Sequence, residues 1–129
     1  MQDFFQTRAS SFRHAFEGWW FVIRTQRNAW IHMVFSLAVI AVSFWLGLSR
    51  IEWAIILIAI TLVWTAEFLN TALEAVVDLA SPQQHYLAKI GKDVGAAAVL
   101  ISATSSIVIG LLILGPPLWE KIQSFFSKY

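Results

Sequence analysis

The segment that most limits this chain is residues 94–114, 21 residues without a charge, closed by Gly115-Pro116-Pro117. A helix needs about 20 largely apolar residues to cross the hydrocarbon core of a bilayer. Two more runs have the same character. Residues 31–48 are interrupted only by His32 and two serines. After the polar break Ser49-Arg50-Ile51-Glu52, residues 53–66 are apolar again. The helical pattern then continues through Glu67, Asn70, Glu74 and Asp78, before a polar loop over 80–89 with a breaker at Ser81-Pro82. Membrane helices are therefore expected at 31–48, 53–78 and 94–114. Composition agrees: 58% of residues are hydrophobic and 13% charged, against roughly 45–50% and about 25% in soluble domains. A soluble globule of 129 residues cannot cover its surface with so few polar side chains, and a disordered chain has the opposite bias. The expected fold is one all-α membrane domain over residues 1–129.

The first thirty residues mix polar and aromatic side chains and do not read as a cleavable signal peptide. Phe5, Phe12, Phe16, Trp19 and Ile23 fall within about 60° on a helical wheel, with Arg13, Glu17 and Arg24 toward a flank. Residues 1–30 are read as an amphipathic helix lying in the membrane interface; the alternative is a soluble helix packed on another domain. Basic residues set the orientation. Arg8, Arg13, Arg24 and Arg27 precede the first span, and Lys89 and Lys92 lie in the second loop; Arg50, Lys121 and Lys128 fall on the other side. Six against three place the N-terminus in the cytoplasm. Trp19, Trp20, Trp30, Trp53 and Trp119 lie near the expected interfaces.

Chemistry concentrates in the second span. Glu67, Asn70, Glu74 and Asp78 are spaced three, four and four, which puts them within about 80° of arc, with Thr71 beside them. Carboxylates at membrane depth are costly and mark functional sites more often than packing seams. Like charges one turn apart also repel, so something positive must offset them. Lys92, Lys89, Arg24 and Arg27 are candidates, as is a divalent cation held by carboxylate oxygens. Three readings follow: a polar seam between helices, a proton or ion pathway, and a catalytic or metal-binding surface. A stripe near one end of the helix favours surface chemistry over conduction.

Other chemistries are excluded. There are no cysteines, hence no disulfide, zinc-thiolate or thiol nucleophile, and a net charge of +1 excludes a basic nucleic-acid binder. Gly91-Lys92 is followed by Asp93, and position 86 is Tyr, so no P-loop is present; HExxH, GxGxxG and GxSxG are also missing. Gly95, Ala98, Ser102, Ser106 and Gly110 give the third span a small-residue packing face. His32 and His85 read as hydrogen-bonded residues at membrane boundaries rather than ligands.

The stretch Glu67-Phe68-Leu69-Asn70-Thr71-Ala72-Leu73-Glu74-Ala75-Val76-Val77-Asp78 resembles the signature of the small bacterial membrane diacylglycerol and undecaprenol kinases. The resemblance continues at His85, Lys92-Asp93 and the small-residue helix, and covers about Phe12 to Leu114. Leu87-Ala88-Lys89 and Arg27-Asn28 with Ile31-His32 are more similar to the undecaprenol kinase branch. The resemblance implies a homotrimer in the bacterial inner membrane, its sites shared between subunits at the cytoplasmic face. It implies ATP-dependent phosphorylation of a lipid alcohol, undecaprenol or diacylglycerol. It makes Glu67 the general base and Glu74 a ligand of Mg²⁺, with Asn70, Asp78, Lys92 and Asp93 supporting the site or the nucleotide. One position departs from the pattern. The second metal-binding glutamate, just before the Arg-Asn pair, is replaced by Gln26. Gln26 either offers a neutral carbonyl ligand or only caps or solvates its helix. Two rival functions stand beside the kinase: a non-catalytic, degenerate family member serving as a membrane subunit, and a small ion or proton pathway.

Overall fold

The computed structural model describes residues 2–81, 83 and 85–127, with residues 2–9 described by backbone alone. The side chains of Phe5 and Arg8, and residues Pro82, Gln84 and Lys128, lie outside the described residues. The elements are α1 (Gln2–Thr25), α2 (Arg27–Leu46), α3 (Arg50–Ala80) and α4 (Tyr86–Phe126), with no strand among the described residues. α2, α3 and α4 are each long and apolar enough to cross a membrane. The protein is thus an all-α membrane protein with three spanning helices.

α3 and α4 run past their apolar stretches at both ends, and α2 begins four residues before its own, because polar residues outside the bilayer can extend a helix whose centre the lipid stabilises. The first break comes at Gln26 rather than after residue 30, so the N-terminal helix is shorter than the sequence suggests. Gln26 is the single extended residue (φ −97°, ψ 114°). Its N–H closes α1 on the Val22 carbonyl, and its own carbonyl accepts from Ala29. The second break is more strongly encoded. Gly47 adopts a left-handed φ of 73°, and Gly47 and Leu48 donate back to the Phe44 and Ser43 carbonyls, a helix stop that favours glycine. Ser49 then caps α3 in a reciprocal box: its N–H donates to Glu52 Oε2 at 2.7 Å, and Glu52 N–H donates to Ser49 Oγ at 3.4 Å. At the third break His85 caps α4, its Nδ1 accepting from Leu87 N–H at 3.2 Å.

The expected stop at Gly115-Pro116-Pro117 is overturned, since α4 continues through both prolines to Phe126. Proline removes a backbone donor but has a helical φ, and membrane helices tolerate it where neighbours satisfy the freed groups. The continuation is anchored at Lys121, whose Nζ donates to the Trp45 carbonyl at 2.5 Å. The same ammonium sits 4.5 Å from the Trp45 ring centroid.

The α3–α4 hairpin is the main packing unit, α2 lies against both helices, and α1 folds onto α2 and α3. Part of the small-residue face of α4 does meet α3. Ser106 Oγ donates to the Ala59 carbonyl at 2.9 Å, and Gly95 is buried against Asn70 and Leu73. Gly110 instead has open space above it. Where α1, α2 and α3 meet, Val22, Ile23 and Ala29 are buried, with Met33, Trp64 and Phe68 packed around them. Trp19 stacks on Trp64 with ring centroids 6.3 Å apart, and Trp64 Nε1 donates to Ser36 Oγ at 3.2 Å. Of the apolar face read on α1, Ile23 is buried by the other helices, whereas Phe12 and Phe16 remain exposed.

Candidate active site

The site is built on the C-terminal half of α3, where the helix's buried face changes character. Ile56, Ala59 and Val63 are buried and apolar; Glu67 and Thr71, one and two turns further on, are buried and polar. Glu67 is 1% exposed. Thr71 Oγ1 donates to the Glu67 carbonyl at 2.9 Å and so is satisfied within the helix. The Glu67 carboxylate has no such local partner. Its Oε2 lies 3.7 Å from His32 Nε2 on α2, and both atoms are buried without a hydrogen bond.

One turn on, Asn70 Nδ2 donates to Glu74 Oε1 at 3.1 Å, which orients the carboxylate. Gly95 of α4 faces this pair. A methyl group there would collide with Asn70 Oδ1 and approach Leu73 Cδ2 to 3.1 Å. Only glycine lets α4 come this close, so the small residue at position 95 belongs to the site as well as to the packing. Two further turns on, Asp78 Oδ1 is 2.5 Å from Lys92 Nζ, and Lys89 pairs with Asp93 along α4. Asp78, Lys89 and Lys92 line an open depression of about 680 Å³ at the α3–α4 connection, together with His85 and Tyr86.

Glu67, Asn70, Glu74 and Asp78 therefore share one face, as their spacing predicts. They run about 16 Å along α3, at 1.5 Å per residue, from a buried carboxylate to an open, charged rim. Lys92 and His32 are the basic side chains that reach this stripe among the described residues, Lys92 at Asp78 and His32 at Glu67. Arg24 instead lies over the Trp20 ring, 5.7 Å from its centroid. Gln26 holds the first position before α2 by its backbone, and its side chain makes no capping bond. No hydrogen bond joins Gln26 to Glu74 among the described residues. The same residues contain no cluster of three or more metal-ligating His, Asp or Glu side chains.

His32 is the residue that the sequence undervalued. A single histidine at the start of an apolar run has no local signature, and its partner lies 35 positions away. The one available signal was that His32 is the only titratable side chain within 31–48. The apolar buried face before Glu67 also weighs against an ion pathway, which needs polar groups across the whole span.

A family model described as prokaryotic diacylglycerol kinase matches residues 13–114. The chain is 45% identical over 108 residues to an undecaprenol kinase of Bacillus subtilis, covering 84% of this chain and 88% of that one. It is 45% identical over 109 residues to a diacylglycerol kinase of Synechocystis, covering 84% of this chain and 62% of that longer protein. A diacylglycerol kinase of Escherichia coli is 33% identical over 95 residues, covering 68% of this chain and 78% of the relative.

Proposed function

The chain belongs to the prokaryotic diacylglycerol kinase family and is a lipid kinase of a bacterial membrane, and from that premise we propose that it transfers the terminal phosphate of ATP to the hydroxyl of a long-chain lipid alcohol, with Glu67 as general base. The observation that carries this reading is the graded stripe on α3, with Glu67 buried at one end and Asp78 ion-paired with Lys92 at the other. A lipid hydroxyl approaches from the bilayer and meets the deep end; a nucleotide approaches from water and meets the rim.

In this reading Glu67 takes the hydroxyl proton as the lipid oxygen attacks the terminal phosphorus in line with the departing diphosphate. Lys92 at the rim offsets charge on the phosphates, and Asp78 keeps its ammonium turned toward the depression. Lys89 and Asp93 hold each other on the same face of α4 and frame the nucleotide. Asn70 fixes Glu74 through its amide.

The donor set fits Mg²⁺ delivered with its nucleotide. Mg²⁺ is commonly held by one or two carboxylates plus substrate phosphates rather than by an all-protein cage, and the half-buried, amide-oriented Glu74 supplies one such carboxylate. Glu74 would hold the ion and the neutral Gln26 would add little. When bound, the ion supplies charge neutralisation for the transferring phosphoryl group. The two 45% relatives bear different substrate names, undecaprenol kinase and diacylglycerol kinase, and both substrates present a primary hydroxyl beside apolar chains. The Arg27-Asn28, Ile31-His32 and Leu87-Ala88-Lys89 positions favour undecaprenol. The proposed assembly is a homotrimer in the inner membrane with the N-terminus in the cytoplasm and α1 at the interface.

The test is transfer of radiolabelled phosphate from ATP, with Mg²⁺, to undecaprenol and diacylglycerol offered in parallel to the purified protein. Undecaprenol is expected to be the better acceptor. Glu67→Gln keeps the size of the side chain but not the proton acceptor, and is expected to lower kcat by about two orders of magnitude or more. Near-normal turnover by that variant would assign the base elsewhere.

A further inference from the structure

His32 and Glu67 form a buried contact between α2 and α3 that the scheme above leaves unused. The His32 side chain is 15% exposed and that of Glu67 is 2% exposed. His32 Nε2 and Glu67 Oε2 face each other at 3.7 Å, and neither atom has another hydrogen-bond partner. Buried polar groups are rarely left unpaired, since each has given up its water. The nearest complementary atom to each is the other. Moving the two by about 0.8 Å gives a bond of ordinary length, near 2.9 Å.

We propose that His32 is a positioning residue for the kinase reaction: its Nε2–H donates to Glu67 Oε2 and holds the carboxylate so that Oε1 faces the lipid hydroxyl. This rests on the assignment of Glu67 as the base. A carboxylate has two equivalent oxygens and a broad terminal torsion, so a base without a fixed second oxygen samples unproductive orientations. The surroundings of Glu67 on its own helix cannot fix it. Trp64, Phe68 and Val63 offer no donor toward it, since Trp64 Nε1 is committed to Ser36 Oγ and the Thr71 hydroxyl to the Glu67 carbonyl. The donor has to come from another helix, and His32 is the side chain that supplies it. The imidazole is anchored in turn by its place on α2, one position before Met33 and three after Ala29, both in the apolar junction of α1, α2 and α3. No proton transfer to His32 is needed; the hydroxyl proton ends on Glu67 Oε1, and the Nε2–H stays where it is.

The test uses the full-length protein and a substitution series at position 32, with the lipid giving the higher turnover as acceptor. Glutamine places its amide nitrogen near the Nε2 position, asparagine reaches only the Nδ1 position, and leucine donates nothing. His32→Gln is expected to keep kcat within about fivefold of the parent. His32→Asn and His32→Leu should lose about ten- to a hundredfold, with KM for ATP unchanged within twofold, because the nucleotide end of the stripe is untouched. Combining His32→Leu with Glu67→Gln should give no further loss beyond Glu67→Gln alone. The proposal is overturned by a His32→Leu variant with kcat within twofold of the parent, by Gln and Asn variants that are equally impaired, or by additive losses in the double variant. Should His32→Leu fail to assemble, the contrast between Gln and Asn still decides. ¹⁵N spectra of histidine-labelled protein give an independent readout: His32 is expected as the Nε2–H tautomer, with a signal that moves on Glu67→Gln, and the Nδ1–H tautomer would refute the bond. An active Glu67→Gln enzyme would instead fault the assignment of the base, a result separable from every outcome at position 32.

Discussion

Glu67 and Glu74 stand two turns apart on one helix and meet different surroundings. Glu67 is enclosed between helices with a histidine facing it; Glu74 is half-buried with an amide on one oxygen. Those differences, more than the shared residue type, are what suit Glu67 to the proposed role of base and Glu74 to the proposed role of metal ligand. Gln26 sharpens the point. A neutral amide oxygen binds a hard cation less strongly than a carboxylate does. Gln26→Glu is therefore expected to lower the Mg²⁺ concentration for half-maximal turnover about three- to tenfold. A magnesium titration of both forms at fixed, saturating ATP checks this. An unchanged midpoint would mean that position 26, which already serves α2 through its backbone, does not approach the ion.

Among the elements, α3 and α4 carry the site because their close approach sets the depth of the stripe. Gly95 is the contact that permits it. Gly95→Ala is expected to push Asn70 away and release Glu74, lowering kcat about tenfold or more and costing roughly 1–3 kcal/mol of stability. Turnover of the assembled variant and its denaturant midpoint measure the two effects separately. Full activity would show that Asn70 can yield without disturbing Glu74. The turns at the two ends of α3 provide the test of topology. Ser49 and Gln83 flank a helix of 31 residues, so cysteines placed at the two positions should label from opposite sides of the membrane, with position 83 cytoplasmic. Labelling from one side alone would contradict three spans with the N-terminus inside.

The whole molecule exposes 10077 Å² of accessible surface, where a compact soluble protein of 14.6 kDa would expose about 6,900 Å². Much of the excess is apolar: Phe35, Phe44, Leu69, Val76, Leu100 and Leu111 all face outward. Lipid covers such a surface in a membrane protein, and in the proposed trimer neighbouring subunits would cover part of it. The stripe itself is covered on few sides within one chain, since Asp78 is exposed and Glu74 half-exposed. That is the physical reason to expect an oligomer whose neighbours complete the site. In nanodiscs or mild detergent the active species is expected to have the mass of three chains. A monodisperse, active monomer would rule out a shared site.

Hydropathy and helical period are local properties, and so the sequence alone determined the three spans, the common face of Glu67, Asn70, Glu74 and Asp78, and the class of chemistry they suit. Helix ends were less legible. The capping pair Ser49 and Glu52 and the left-handed Gly47 explain one break, but nothing local announced the break at Gln26, and two prolines that look like a stop sit inside α4. Only the tertiary structure decided which groups meet across helices: Lys92 with Asp78, Gly95 with Asn70, and His32 with Glu67. Side chains on separate helices carry no shared period, so their pairing follows from how the apolar faces dock. That docking sets the rotation and depth of each helix, and with them what each carboxylate faces.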